Sequence, residues 1–322
     1  MKLLHVDSSV SGAGSASRAL TAEIVARRGH DESARAHLGH RSMNAMMTSP
    51  AVARRITHRT RGSTHGPITR LVSPSDLGEI IKPFVFLDIF EVPPTTEPLF
   101  GWHPHSGIAT LTVVQEGATS YEETTGQKGV LSSGGVEWMR AGRGVWHTGS
   151  AVGKATTKGF QLWIALPEAL ELAPSQSRYL SAEEVPTVGA ARLILGDYEG
   201  ASSPIPAPAG INYLDVQLNA GERWRYRPPS THSVVWLALS HGAVQAIEPV
   251  SAGELVIFDE SGGDLEIHAK SAARFVLGSA VKHPHQLVTG RYSVHTSAAA
   301  LRTGKQEIQR IGSQLAAAGI IS

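Results

Sequence analysis

The chain has 322 residues, 41% of them hydrophobic and 18% charged, a composition typical of a globular protein with room for two domains. Its 29 lysines and arginines against 28 acidic residues leave a net charge of +1, which argues against a broad basic surface for nucleic acid. The absence of cysteine excludes disulfides, thiolate metal sites and a cysteine nucleophile. The sequence lacks a membrane-spanning apolar run and a signal-peptide core, so we expect a cytoplasmic protein, and we expect a monomer.

Residues 1–57 are predicted to form an N-terminal extension. Lys2–Val6 is typical of a strand, and Ser17 is placed to cap a helix over Arg18–Arg28. Residues 30–57 are rich in His, Arg, Met and Ser without a steady period, which indicates a connector. We therefore expect a short βα unit and a linker before the main fold.

The rest of the chain is predicted to be all-β. Short β-rich runs alternate with turns marked by Gly and Pro, the pattern of an antiparallel barrel or jelly roll, and two blocks of domain size follow one another. We predict an N-terminal barrel over residues 58–180, a C-terminal barrel over 181–290 and a helical tail over 291–322 with Ser297 as N-cap. The predicted strands are Ile68–Val72, Phe84–Phe90, Ile108–Glu116, Ala118–Glu123, Gly129–Leu131, Val136–Arg140 and Gln161–Ala165, then Ala191–Gly196, Ile211–Leu218, Ser233–Ser240, Leu255–Phe258, Leu265–His268 and Ala273–Leu277.

Three histidines of the first block indicate a metal site. His103 and His105 are two positions apart, so on a strand their side chains point to the same face. His147 can face them only if the strands close into a barrel or sandwich. Three converging neutral imidazoles suit Fe(II), Ni(II), Mn(II), Cu(II) or Zn(II), and the donor type alone does not choose among these metals.

Four segments around these histidines carry a family resemblance. They are HPHSG at 103–107, EG at 116–117, GVL at 129–131 and GVEWMRAGRGVWH at 135–147. Together they resemble the pirin signature, and pirins belong to the cupin superfamily. The resemblance implies two consecutive cupin barrels. It also implies one metal, usually iron, in the first barrel, and none in the second.

The chain departs from the pirin pattern at its carboxylate ligand. The usual carboxylate lies two residues after the third histidine, where this sequence has Gly149. Another carboxylate common in cupin sites lies four residues after the second histidine, where this sequence has Ala109. If catalysis requires the removal of a proton from a hydroxyl group of the substrate, the base cannot be this missing carboxylate. The two alternatives are Glu137 and a metal-bound hydroxide.

A second resemblance covers only the first 28 residues. The segments KLLHVDSS at 2–9 and SASR at 15–18 resemble the start of FMN-dependent NADH-azoreductases, in which Ser9, Ser15 and Ser17 would cradle the FMN phosphate. One βα unit cannot build the doubly wound sheet of that family. We interpret the segment as a fusion remnant and do not expect FMN.

Other histidines and the tryptophans beside the predicted ligands admit structural interpretations. His283 and His285 repeat the H-P-H pattern, but we interpret them as exposed loop residues. His232 flanks a predicted strand and is interpreted as a turn cap. The tryptophans could wall a pocket for an aromatic substrate or belong to the core; they are Trp102, Trp138 and Trp146.

The resemblance to pirins implies two kinds of function. The first is an oxygen-dependent oxidoreductase of the quercetin 2,3-dioxygenase type, acting on a small oxygen-rich aromatic such as a flavonol. The alternative is a non-enzymatic, metal-responsive regulatory protein that acts by binding a protein partner. Direct binding to nucleic acid or to a membrane is not expected.

Overall fold

The computed structural model describes residues 54–95 and 100–321. The chain divides into two units, Met1–Met47 and Thr48–Ser322, and all described residues belong to the second. The predicted βα extension, with Ser9, Ser15 and Ser17, lies outside the described residues.

The described residues form mainly short antiparallel strands. Two helices accompany them, α1 (Leu77–Ile81) and α2 (Ala298–Ala317), and no helix in the described part combines the length and apolar character needed to cross a membrane. Strands in the first half are β1 (Ile56–Thr60), β2 (Ser63–His65), β3 (Ile68–Val72), β4 (Phe84–Val92), β5 (Phe100–His105), β6 (Ile108–Glu116), β7 (Ala118–Glu123), β8 (Lys128–Ser132), β9 (Val136–Arg140), β10 (Val145–Ala151), β11 (Thr157–Ala165) and β12 (Gln176–Leu180). Strands in the second half are β13 (Thr187–Val188), β14 (Ala191–Leu195), β15 (Asp197–Tyr198), β16 (Ala201–Ser202), β17 (Ile211–Leu218), β18 (Arg223–Tyr226), β19 (Val234–His241), β20 (Ala243–Gln245), β21 (Pro249–Ser251), β22 (Leu255–Phe258), β23 (Leu265–Ala269), β24 (Ala273–Ala280), β25 (Val288–Gly290) and β26 (Ser293–His295).

The strands build the same barrel twice. In the first barrel a seven-stranded sheet, ordered β12-β9-β6-β11-β4-β3-β2, faces a four-stranded sheet, β5-β10-β7-β8. In the second barrel the corresponding sheets are β1-β22-β19-β24-β17-β14-β13 and β18-β23-β20-β21. The prediction of an all-β fold with two consecutive jelly-roll barrels is confirmed.

The first described strand belongs to the second barrel. β1 pairs with β22, so that Ile56 lies opposite Phe258 and Thr60 opposite Leu255. The predicted boundaries at 57/58, 180/181 and 290/291 remain predictions, but β1 spans the first of them. The pairing therefore ties the start of the described chain to a strand some 200 residues later.

The C-terminal tail packs on the first barrel, as an amphipathic helix should. Ser297 caps α2 by accepting a hydrogen bond from the Ala300 amide at 3.2 Å, which confirms the predicted N-cap. Leu301 and Leu315 are buried, and the indole of Trp146 in β10 donates to the Ile308 carbonyl at 2.8 Å. The helix thus lies against the strand that carries His147.

One apolar core joins the two barrels. Trp138 from β9 and Trp236 from β19 are fully buried in it, and Phe84 meets Trp236 edge-on with ring centroids 5.3 Å apart. Burying about 150–250 Å² per tryptophan, at about 25 cal/mol per Å², contributes about 4–6 kcal/mol each. The interior of the second barrel holds another apolar cluster that includes Leu237 and Phe275, so its packing resembles an ordinary core.

A polar cluster around Asp215 reinforces the contact between the barrels. Its buried carboxylate accepts hydrogen bonds from Arg274 at 2.6 Å and Arg192 at 3.3 Å, both in the second barrel. The Gln115 side-chain amide, from the first barrel, donates to the same carboxylate at 2.9 Å. Arg274 also donates to the Gln115 carbonyl at 3.1 Å, so the cluster fastens one barrel to the other.

Replacing Asp215 with Ala should lower the free energy of unfolding by about 3 kcal/mol, because it leaves two largely buried guanidinium groups without their anion. The matched control is Asp264→Ala, which removes the partner of the more exposed Arg225 and Arg227 and should cost less than about 1 kcal/mol. Urea unfolding of both variants measures the difference. Equal losses would contradict a special role for the Asp215 cluster.

Candidate metal centre

The register of β5 and β10 brings the three predicted histidines together. His147 lies directly opposite His103, and Val145 lies opposite His105. The ring centroids are 4.3 Å apart for His103 and His147, and 5.0 Å apart for His105 and His147. One ligand atom from each ring lies within 4.8 Å of the others, so this group could hold a metal ion.

An acceptor lies beside the Nδ1 atom of each imidazole. Nδ1 of His103 is 2.9 Å from the Gly101 carbonyl, and Nδ1 of His105 is 3.1 Å from the Tyr292 carbonyl. Nδ1 of His147 is 3.8 Å from Oε1 of Glu137. These acceptors favour the tautomer with the proton on Nδ1, which leaves the Nε2 lone pair available to a metal.

The Nε2 atoms of His105 and His147 lie only 3.1 Å apart. Two nitrogen lone pairs at this distance repel each other unless a proton or a cation lies between them. Burial lowers the pKa of His103 to about 4, and it lowers the pKa of His105 well below its usual range, with the neighbouring His147 adding to both shifts. Neutral, converging imidazoles of this kind fit a divalent transition metal.

Glu137 in β9 is the carboxylate nearest to His147 Nδ1. Its Oε2 accepts a hydrogen bond from the Thr112 hydroxyl at 2.6 Å, and the side chain is buried. Burial by itself raises the pKa of Glu137, but the contacts with His147 and Thr112 together outweigh it, so the pKa lies below its usual value. An ionised carboxylate beside Nδ1 is the usual outer partner of a metal-ligating histidine.

Neighbouring atoms leave no room for a carboxylate at Ala109 or Gly149, the two positions where one was expected. Ala109 is fully buried in the core that joins the barrels. At Gly149 a Cβ atom would lie 2.9 Å from the Ser120 carbonyl, too close for an unshifted backbone. A carboxylate at either position would therefore require the structure to rearrange.

A second buried acid, Glu123, lies on the strand next to β10 and was missed by the sequence analysis. Its Cα is paired with that of His147 in the β7–β10 ladder. The carboxylate accepts hydrogen bonds from Ser177 at 2.7 Å and Tyr179 at 3.0 Å. Burial raises the pKa of Glu123 above its usual value, and these hydrogen bonds offset only part of the shift. The alternation in β7, which places Tyr121 and Glu123 on one face, was the signal that could have found it.

Stacked rings form one wall of the site. The Trp163 ring lies 4.9 Å from the His105 ring and stacks on Phe86 at 4.0 Å with an angle of 7°. The guanidinium of Arg70 covers the other face of the stack, 3.8 Å from the Phe86 centroid. Of the tryptophans considered from the sequence, Trp138 belongs to the core between the barrels, as one of the two alternatives expected, and Trp146 packs against α2.

The C-terminal segment completes the site. Besides the contact of its carbonyl with His105, the ring of Tyr292 lies 6.0 Å from the His103 ring and 6.1 Å from the His105 ring. Ser293 forms a bridge with Ser106, the residue that follows His105. The position of His105 therefore depends on a segment almost 190 residues further along the chain.

A buried hydrogen-bond network holds this segment in place. Glu171 accepts from His295 Nδ1 at 3.0 Å and from the Thr296 amide at 2.8 Å, while His295 Nε2 lies 3.0 Å from the Ser106 hydroxyl. The Ser106–His295–Glu171 arrangement has the same order of groups as a catalytic triad, in which a serine nucleophile is followed by its histidine base and an orienting acid. Ser106 is fully buried, and a Cβ at Gly304 of α2 would lie 2.5 Å from its Oγ, so the network is structural.

Two of the remaining histidines differ from their predicted environments. His283 is buried, with Nε2 3.2 Å from the Leu166 carbonyl, so the prediction of an exposed loop residue was wrong. His232 is buried and lies 2.8 Å from the Ser279 hydroxyl through Nδ1. In both cases the ring contacts a group far away in the sequence, so its burial cannot be predicted from the neighbouring residues. The group of potential metal ligands found in the described residues is His103, His105 and His147.

Two barrels in series, with three converging histidines in the first, define a bicupin with a candidate metal site. The pirin sequence model matches residues 67–164. A protein of Pseudomonas aeruginosa named "Putative quercetin 2,3-dioxygenase" is 33% identical over 228 residues, covering 65% of this chain and 79% of that protein. Pirin-like protein 2 of Arabidopsis thaliana is 27% identical over 242 residues, covering 71% and 74% of the two chains. The chain belongs to the pirin family.

Solved structures show the same fold. Quercetin 2,3-dioxygenase from Acinetobacter baumannii superposes with a TM-score of 0.75 at 22% identity, covering 80% of this chain and 97% of that one. The bacterial pirin YhhW of Escherichia coli, solved in complex with nickel(II), superposes with a TM-score of 0.55 at 18% identity, covering 71% and 98%. These likenesses confirm the bicupin architecture.

Replacing Glu171 with Gln should weaken Ni(II) binding by about tenfold, because the network that fixes the Tyr292 carbonyl against His105 loses its charged acceptor. Competition with a chromogenic chelator measures the dissociation constant. The control, Ser279→Ala, removes a buried hydroxyl from the second barrel and should leave Ni(II) affinity unchanged. Equal affinity in the Glu171 variant and the parent protein would contradict the coupling.

Proposed function

We propose that the protein is a metal-dependent oxygenase of the quercetin 2,3-dioxygenase type, acting on a flavonol or a related oxygen-rich aromatic. The observation that carries the proposal is the convergence of three imidazoles, one buried and two half-buried, each with an acceptor at Nδ1. The names of the similar Pseudomonas aeruginosa protein and of the Acinetobacter baumannii structure support the substrate class.

In this proposal His103, His105 and His147 hold the metal through Nε2, and Fe(II) is the ion we expect. The metal would supply Lewis acidity and redox chemistry with dioxygen. Burial keeps the imidazoles of His103 and His105 neutral, and the orientation of the three rings is fixed through Gly101, Tyr292 and Glu137. The stacked Trp163 and Phe86 rings provide an apolar wall for a planar aromatic.

Glu137 is the proposed proton acceptor for the substrate hydroxyl. Its lowered pKa keeps it ionised near neutral pH, which a general base requires. The hydroxyl of Thr112 fixes Oε2, and Oε1 points to the ring of His147. Glu137 is thus the candidate replacement for the carboxylate absent at Gly149, as a base rather than as a ligand.

Replacing Glu137 with Gln should lower kcat per bound metal ion, for oxygen uptake with a flavonol, by about 100-fold or more, because the amide cannot accept the proton. Oxygen-electrode assays at saturating flavonol, together with elemental analysis, measure both quantities. A loss of metal with unchanged kcat per bound metal would show that Glu137 only orients His147.

His147→Ala should abolish both metal binding and oxygen uptake, since it removes one of three ligands. The matched control is His285→Ala, which alters a histidine outside the cluster and should change neither. Bound metal without turnover in the parent protein, across a panel of flavonols and catechols, would instead favour the metal-responsive regulatory role.

A further inference from the structure

The second barrel repeats the first barrel's topology but replaces its histidines. The sheet β18-β23-β20-β21 corresponds to β5-β10-β7-β8, and Tyr226 pairs with Leu265 where His105 pairs with Val145. When the two sheets are aligned on these pairs, Tyr226 occupies the position that corresponds to His105. In the same alignment Trp224 corresponds to His103 and Ile267 to His147. Trp and Ile offer no metal ligand, and the Tyr226 phenol is buried and hydrogen-bonded.

A hydrogen-bond relay runs through the mouth of the second barrel. Two hydrogen bonds to the Asp197 backbone orient the side-chain amide of Asn212. Its Oδ1 accepts from the N–H of Asp197 at 3.1 Å, and its Nδ2 donates to the carbonyl of Asp197 at 2.7 Å. Nδ2 also donates to the Tyr226 hydroxyl at 3.3 Å. The Tyr226 hydroxyl lies 2.7 Å from Ser279 Oγ, which lies 2.8 Å from Nδ1 of His232.

The fixed Asn212 amide sets the direction of this relay. Tyr226 accepts from Asn212, so its own proton goes to Ser279, and the Ser279 proton goes to Nδ1 of His232. The single proton of the neutral imidazole is then on Nε2. Burial lowers the pKa of His232, and the charge of Arg54 adds to the shift, which keeps the ring neutral. Nε2 is therefore a hydrogen-bond donor, and it has no partner among the described residues.

His232 lines a cavity of about 370 Å³ at this mouth, although only 4% of the residue is exposed. The cavity is within the size range of sites for small organic ligands. Most of its wall is apolar or backbone, including Ile205, Ala207, Pro208 and Pro229. Ser203 and Asn212 also line the cavity, but their donor groups are bonded within the protein, so Nε2 of His232 is the side-chain donor left for a small molecule that carries one acceptor group.

The charge of Arg54 decides which acceptor fits best. Its buried guanidinium donates to the carbonyls of His232 at 3.0 Å, Ser233 at 3.0 Å and Asp259 at 2.7 Å, and also to that of Gly263. The carbonyl groups satisfy the N–H groups but carry no net charge. None of the described carboxylates pairs with the Arg54 guanidinium within 4.0 Å, and the charges of Asp259 and Glu260 act on it from further away. An anion near His232 would therefore gain from this positive charge. Asp197 at the rim opposes it, but that side chain is exposed and accepts from Ser202.

We propose that the mouth of the second barrel binds a small monocarboxylate with an apolar body, whose carboxylate accepts a hydrogen bond from Nε2 of His232. The apolar body occupies the cavity beside Ala207 and Pro208. The site is separate from the candidate metal centre and does not depend on the proposed oxygenase activity. The site is linked by the relay through Ser279 to Tyr226, the residue that corresponds to His105 of the first barrel.

The probe is 4-fluorobenzoate, titrated into the full-length, metal-stripped protein and followed by ¹⁹F NMR. Saturable binding is expected, and neutral 4-fluorobenzamide should bind at least about tenfold more weakly because it lacks the charge. Ala207→Trp fills the cavity without touching the relay and should abolish binding. Tyr226→Phe removes the proton that sets the relay and should weaken binding several-fold, and it serves as the second test if the Trp variant does not fold.

Two further variants make the assignment specific. Asp197→Asn removes the opposing charge at the rim and should tighten 4-fluorobenzoate binding, whereas His105→Ala removes a metal ligand of the first barrel and should leave it unchanged. Absence of saturable binding would overturn the proposal. So would unchanged binding in both the Ala207 and Tyr226 variants, or loss of binding in the His105 variant, which would place the probe in the first barrel.

Discussion

The register between β5 and β10 is the constraint on which the candidate metal centre depends. It sets His147 directly opposite His103, and the period of two along β5 adds His105 on the same face. A shift of one residue would turn His147 away from the other two. The register is held from both sides, because β10 also pairs with β7 and because Tyr292 and Ser293 bind His105 and Ser106.

The two barrels have the same topology, but different kinds of side chains fill their interiors. The second barrel is packed with an apolar cluster, and aromatic rings stand at two of the three positions that correspond to histidines. The first barrel places buried carboxylates in its interior, where Glu137 accepts a hydrogen bond from Thr112 and Glu123 accepts from Ser177 and Tyr179. Such a polar interior is costly unless it is hydrogen-bonded, so the core shared between the barrels and the second barrel supply much of the apolar burial.

The first and last described segments of the chain pack on different barrels. β1 closes the sheet of the second barrel, while β26 and α2 pack on the first. Glycine at position 304 lets α2 approach the Ser106–His295–Glu171 network closely, at the usual cost of glycine within a helix. The candidate site is therefore assembled from segments separated by up to about 190 residues, so we expect metal affinity to depend on the packing of the tail.

The sequence by itself determined the all-β fold, the two barrels, the Ser297 cap and the convergence of His103, His105 and His147. The strands and the cap follow from local signals, since strand alternation, turn residues and a helix cap are each encoded within a few positions. The convergence of the histidines required in addition the barrel closure that the resemblance to pirins implied. Only the tertiary structure decided that β1 joins the second barrel, that Glu123, Trp163 and Tyr292 surround the histidines, and that His232 is buried at a cavity. Each of these depends on pairing between distant segments, for which a single sequence carries no local signal.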